Sequence, residues 1–439
     1  MSPIRFLRAE LGALLGVLVL LACTYPDGAP GASRAAVSGV EARGGPSRSP
    51  YPAGAQRPSL TPAADQFARA RATRAKPKKK PKKRKPALHG NPARALVSFQ
   101  EMQKAYYIPG SGLYEGDPFS YLWPFSQAFA ATVSMALIPH MGINWSRELH
   151  ARLVGLNVYL DNNNSGTPDG TFASTLPAFD GTVAPPVGPG GTKYYDDNDW
   201  IGIELVRLYE LTRSPALLGS AEGIMAFEMA GWQEDPHLGC PGGIPFSNDP
   251  ENGERNTVTT APAAELATQL YRLTGNIEYL RFAQKAYGWV RTCLLTSGGL
   301  YADHIGRRGV VEPMLWSYNQ GSMIGAGTLL YEATHDAGYL YEARQTAKAA
   351  LAYFTPQRLG GENPFFVSVY FRNLLYLDSV THDPPGPRIA QAYVDYAWTH
   401  LRLANNLFVA GSPAAAQLLV QAAIVQIYAL LSSPPSTYF

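Results

Sequence analysis

Residues 194–200 read YYDDNDW: two adjacent carboxylates, Asp196 and Asp197, a third at Asp199, aromatic rings on both sides and an apolar helical pattern directly after. Asp is favoured at helix N-termini, and first-turn acids complement the helix dipole, so a capping cluster is the simplest reading. One cap needs only one acid. Carboxylates this close cannot all ionise cheaply, so one pKa is pushed up while the helix N-terminus favours an ionised neighbour. A split pair of this kind can cleave a glycosidic bond: one carboxylate attacks or activates water, and the other protonates the leaving oxygen.

The elements that would position these groups repeat. LYELTRSPALLGSAEGIMAF starts at Leu208, LYRLTGNIEYLRFAQKAYGW at Leu270 and LYEATHDAGYLYEARQTAKA at Leu330, spacings of 62 and 60 residues. Each holds an apolar helix end, a Thr, a short polar break and a second run at helical spacing, which is a helical hairpin. Weaker copies start at Trp123 and at Phe365, a further helix falls near 415–431, and with an opening helix at Ala93–Tyr106 the count approaches twelve. Strand alternation is almost absent outside short loop ribbons. Hairpins that bury one face only against their neighbours form a solenoid or a closed ring, and six pairs in about 350 residues favour an all-α (α/α)6 toroid.

Twelve residues before each Leu-Tyr pair stand Asp196, Val258 and Tyr318, in stretches that are polar or aromatic and open a helix. If these first helices line the inside of the toroid, their N-termini gather at one mouth. That mouth would hold Gln127, Asp196, Asp197, Asn256, Tyr318, Asn319 and Gln320, with Tyr195, Asn198, Trp200 and Trp316 beside them. Donors and acceptors for hydroxyls, with aromatic faces for rings, suit a sugar better than an apolar or cationic ligand.

Charge divides the chain. Residues 1–90 hold 17 of the 37 Lys and Arg but 4 of the 34 Asp and Glu, leaving 20 basic and 30 acidic residues in 91–439, a net of −10. An acidic globule does not attract polyanions, so the expected partner is a neutral polysaccharide and not nucleic acid. Arg5, Arg8 and the short apolar run Leu11–Leu21 read as an export signal, and Leu20-Leu21-Ala22-Cys23 resembles the bacterial lipobox, making Cys23 the expected lipid-bearing residue and membrane anchor. Residues 24–90, rich in Pro, Gly, Ala and Ser and ending in ATRAKPKKKPKKRKP, read as a tether unable to build a core. The globule then spans 91–439, is expected as a monomer, and sits outside the cytoplasm.

The stretches YYDDNDW, GGIPF, RNTVTTAPAAELATQLYRLTGNIEYL, GGLYADHI and WSYNQGSMIGAGTLLYEAT follow the order and spacing of glycoside hydrolase family 76, the endo-acting α-1,6-mannanases, over most of residues 95–435. The tandem Asp and YNQG are the specific parts of this resemblance; the LTG helix ends are generic to α/α toroids. The resemblance implies an (α/α)6 barrel and hydrolysis of α-1,6-mannan with retention, with Asp196 as nucleophile, Asp197 as general acid/base and Asp303 holding a sugar hydroxyl. Ile244 follows the Gly-Gly pair where the family often has Trp, and Arg255-Asn256 stands for the usual Lys-Asn, which bears on sugar stacking and linkage preference.

Other chemistries find less support. Asp161, Asn163, Ser165, Gly166 and Asp169 have calcium-loop spacing, but Phe172 occupies the place of the bidentate Glu, so a turn is expected there. No histidine spacing or CxxC suggests a metal, and no cofactor is expected; Cys240 and Cys293 are either a disulfide or two buried thiols. The rival functions are a transglycosylase, an epimerase, which would need histidines absent from the mouth stretches, and a non-catalytic glycan-binding lipoprotein.

Overall fold

The computed structural model describes residues 88–139, 141, 143–162, 176–383, 385–410 and 415–439. The export signal, Cys23 and nearly all of the tether lie outside these residues, as does most of the calcium-like loop. Among the described residues no helix is long and apolar enough to cross a membrane.

The three strong repeats fold as the spacing predicts. Helix α4 (Tyr195–Thr212) is followed by α5 (Pro215–Ala230), α6 (Thr257–Thr274) by α7 (Ile277–Leu294), and α8 (Ser317–Thr334) by α9 (Ala337–Tyr353). The recurring Thr does the same work each time. Thr212, Thr274 and Thr334 donate from Oγ1 to the carbonyl four residues back at 2.7 Å, and accept from the backbone two residues on. Between them the chain turns through a left-handed residue, Arg213, Gly275 or His335, ending the helix. Asn276 and Asp336 then cap the second helices, accepting from Glu278 N and Gly338 N.

The remaining helices are α1 (Gly90–Tyr106), α2 (Leu122–Ala136), α3 (Trp145–Leu156), the short α10 (Pro356–Gly361), α11 (Pro364–Thr381), α12 (Gly386–Tyr396) and α13 (Leu418–Leu430). Helices α2, α4, α6, α8, α11 and α13 touch in that order, and α13 packs back on α2, so the inner ring closes. They are buried along nearly their whole length, whereas the outer helices bury one stripe. The barrel axis is filled rather than open: Arg207 and Arg372 both donate to the Glu204 carboxylate, at 2.7 and 2.8 Å, and Gln426 donates to Gln127 between the neighbouring helices α13 and α2 at 3.1 Å.

Strands are confined to loop ribbons. β1 (Leu160–Asp161) pairs antiparallel with β2 (Ala178–Phe179), and β3 (Arg255–Asn256), β4 (His304–Ile305) and β5 (Val311–Glu312) form a three-stranded patch before α6 and α8. Cys240 and Cys293 are disulfide-bonded, tying the 231–256 loop to the end of α7.

Candidate active site

The first turns of the inner helices converge on one cavity of about 820 Å³. The second residue of four of them lines it: Trp123 on α2, Asp196 on α4, Tyr318 on α8 and Phe365 on α11. The third residues Pro124, Asp197 and Phe366 join them, and Leu418 and Leu419 do so from α13. Phe246 and Tyr194 reach in from loops, and the 115–121 turn closes one side with Glu115, Asp117, Phe119 and Tyr121. Carboxylates are present, and among the described residues no Lys, Arg or His lines the wall. Helix α6 contributes nothing to the lining, because its entry is buried: Thr257 donates from N and Oγ1 to the carbonyls of Asp303 and Ala302, and Thr259 donates to Ile244 O.

Asp196 and Asp197 reach the cavity from the same turn but titrate differently. Burial raises Asp196 to about 7, opposed by the backbone N–H groups of Asp196 and Asp197 at the helix start. Burial also raises Asp197 well above the usual range, and there the Asp196 charge adds to the effect. Both carboxyls are therefore held above the usual carboxylate range. Asp196 Oδ1 has no hydrogen-bond partner among the described residues. Asp199 is fully buried, and its carboxyl is raised by burial and by the charges of Asp196 and Glu265.

The other sequence-predicted residues divide between the wall and what stands behind it. Tyr318 lines the cavity, stacked on Phe366. Asp303 accepts from Asn319 Nδ2 at 3.2 Å and pairs with His304 Nδ1 at 3.0 Å, and its charge is felt by Tyr318. Trp316, the N-cap of α8, packs on Phe366 at 5.3 Å. Behind the wall, Asn198 clamps the Phe179 backbone through both amide atoms, at 2.9 and 3.0 Å. Gln320 does the same to Tyr301, at 2.8 and 2.9 Å. Tyr195 is buried, stacked on Phe227 at 4.4 Å, with its ring where a Cβ on Gly231 would lie. Trp200 is buried edge-on to Phe365, Gln127 is bound to Gln426, and Asn256 is 4% exposed with its Oδ1 unpartnered.

Arg255 also faces away from the cavity wall. Its guanidinium donates to the carbonyls of Gly239, Cys240, Gly242 and Gly306, organising the loops. Phe365, Phe366, Phe119, Tyr121 and Phe246 were not singled out from the sequence. The signal for the first two was present, since Phe365 stands sixteen residues before Thr381, as Asp196 and Tyr318 stand sixteen before Thr212 and Thr334.

A closed ring of helices whose first turns open on one acid-bearing, aromatic-walled cleft defines an α/α-toroid protein with a carbohydrate-type site. The chain belongs to glycosyl hydrolase family 76, whose family model matches residues 100–366. It is 25% identical over 187 residues to the mannan endo-1,6-alpha-mannosidase DCW1 of Saccharomyces cerevisiae, covering 38% of this chain and 40% of the yeast protein. With the Candida albicans protein of the same name it is 24% identical over 274 residues, 56% of this chain and 60% of that one. The chain thus spans less than two thirds of the length of these relatives. Among solved structures, the family 76 alpha-mannanase of Bacteroides thetaiotaomicron superposes with a TM-score of 0.69 at 20% identity, over 78% of this chain and 96% of that one. An inactive variant of the Salegentibacter alpha-1,6-mannanase, replaced at two aspartates and solved with alpha-1,6-mannotetrose, gives 0.63 at 19% identity, over 78% and 99%.

Proposed function

We propose that the chain is a retaining glycoside hydrolase that cleaves α-1,6-linked mannan or a related mannose polymer outside the cytoplasm, held to a membrane through Cys23. The observation that carries this reading is the pair Asp196-Asp197, which lines one cleft side by side, with burial raising both carboxyls. In the first step the Asp196 carboxylate attacks the anomeric carbon. The bond to the leaving oxygen breaks, and that oxygen takes the Asp197 proton. In the second step water attacks the glycosyl-enzyme ester and gives its proton to Asp197, and Asp196 leaves as a carboxylate. Inactivity of the Salegentibacter enzyme after replacement of two neighbouring aspartates supports the pairing.

Substrate chemistry follows from the walls. Aromatic faces at Trp123, Tyr318, Phe365 and Phe366 suit the flat sides of sugar rings, and carboxylates without cations disfavour anionic polymers. Asp303, steadied by Asn319, and Tyr318 would hold sugar hydroxyls. Gln127, Tyr195, Asn198, Trp200, Asn256, Trp316 and Gln320 would contribute by fixing the wall. A second reading, transfer of the glycosyl group to another sugar, is favoured by the largely aromatic, apolar lining.

Incubation of the protein with a panel of α-mannans, with product sizing, tests the reading. Cleavage of the α-1,6-linked polymer is expected, with loss of several orders of magnitude in Asp196→Asn. Undiminished turnover in that variant would refute the nucleophile. Added acceptor sugars would convert products to longer chains if transfer dominates.

A further inference from the structure

A second cavity opens at the other end of the barrel. Helices α4, α6, α8 and α11 all end there, capped by the left-handed residues Arg213, Gly275, His335 and His382. The cavity measures about 520 Å³, and Glu210, Gln269, Arg272, Glu332, Tyr376 and Phe439 supply its polar and aromatic walls. It is separate from the cleft. The Glu204–Arg207–Arg372 group lies between them, and the space left around Glu204, Arg372 and Gln127 on the axis is only about 10 Å³.

The wall is built from several directions. Arg207 donates to the Thr437 carbonyl from Nε and Nη2, at 3.2 and 3.0 Å, fixing the 435–439 segment across this end. Phe439 packs on Tyr376 at 4.8 Å and under the Arg372 guanidinium. Tyr376 donates to Glu332, which also pairs with Arg272 at 3.1 Å, so the cavity's cation is already neutralised. Gln269 is 4% exposed and lines the cavity, its Nε2 donates to Glu265 O, and its Oε1 has no partner.

Four helix C-termini and the Glu210 carboxylate, beside the Arg272–Glu332 pair and His382, make this end favourable for hydrogen-bond donors. The Glu210 carboxylate accepts from hydroxyl groups, and the Tyr376–Phe439 rings offer a face for a sugar ring. We infer that the cavity is a second, non-catalytic glycan-binding site that holds a segment of the same polyhydroxyl polymer the cleft works on. This rests on the mannan reading for the polymer's identity. Holding the polymer at two points raises its effective concentration at the cleft.

Equilibrium dialysis of α-1,6-mannotriose against the full chain carrying Asp196→Asn tests it, alone and with Ser436→Trp, which fills the cavity from an exposed rim position. Ser379→Trp blocks the same space from α11 and serves if the first variant lowers the melting temperature. The inference predicts one bound trisaccharide per chain that either block removes. An unchanged number of bound ligands in a folded blocked variant overturns it. Cleavage of mannan by the wild-type chain reports on the cleft alone, so the two readings fail separately.

Discussion

Tyr318 and Phe366 stack face to face, 4.2 Å between ring centroids and 18° from parallel, joining the first turns of α8 and α11 into one wall of the cleft. Rings so placed present a broad apolar face to a sugar. Replacing Phe366 by Ala removes one ring and leaves Tyr318 unsupported. The expected result is a rise in KM for α-1,6-manno-oligosaccharides of about tenfold, matching the ~0.5–1.5 kcal/mol of an aromatic pair, with kcat changed far less. An unchanged KM would place the sugar elsewhere.

In the proposed double displacement Asp196 is ionised to attack and Asp197 protonated to donate. With burial raising both carboxyls, Asp196 to about 7, kcat/KM should climb with pH through an apparent midpoint near 7 and fall again once the pair has lost its second proton. A pH–rate profile with its acidic limb near 4 would contradict this.

The same burial has a consequence for stability. Asp180 is raised to about 6, Glu362 to about 7 and Glu265 to about 8, all chiefly by desolvation. The folded state keeps protons that the unfolded chain releases above about pH 4, so this contribution is complete below that pH and is lost as pH rises through the folded values. Thermal unfolding should therefore show a higher melting temperature at pH 5 than at pH 8.

Lys193, just before α4, is wholly buried between Asp161 at 2.7 Å and Asp180 at 2.9 Å. Lys193→Met strips both carboxylates of their cation and should cost roughly 3–5 kcal/mol in urea unfolding. A loss below 1 kcal/mol would mean the site is effectively hydrated.

The helical hairpins were legible because LY–LT recurs and each Thr, αL turn and cap is a local device, independent of distant contacts. The position of Asp196 and Tyr318 at one mouth followed from the same offset. Which neighbours face the cleft was not legible. Tyr195, Asn198 and Trp200 adjoin the aspartates in sequence, yet the helix turn points them at Phe227, Phe179 and Phe365. Asp117, Phe119 and Tyr121 reach the cleft through an irregular turn with no periodicity to read. Asp161, considered for calcium, meets Lys193 across 32 residues, a pairing that no spacing announces.

The Cys240–Cys293 disulfide closes a sequence separation of 53 residues. Chain-entropy arguments put the stabilisation from such a loop at about 4 kcal/mol. Cys293→Ala, or reduction in mild denaturant, should lower the unfolding free energy by an amount of that order. The cleft aspartates lie on a different helix, so initial rates at low temperature should hold within about twofold.

Double displacement by Asp196 and Asp197 on an α-linked polymer is tested most directly by proton NMR of the first product formed from α-1,6-mannan, before mutarotation. The α-anomer of the new reducing end is predicted to appear first and the β-anomer only later. Initial appearance of the β-anomer would contradict an Asp196 nucleophile and make the two aspartates an inverting pair.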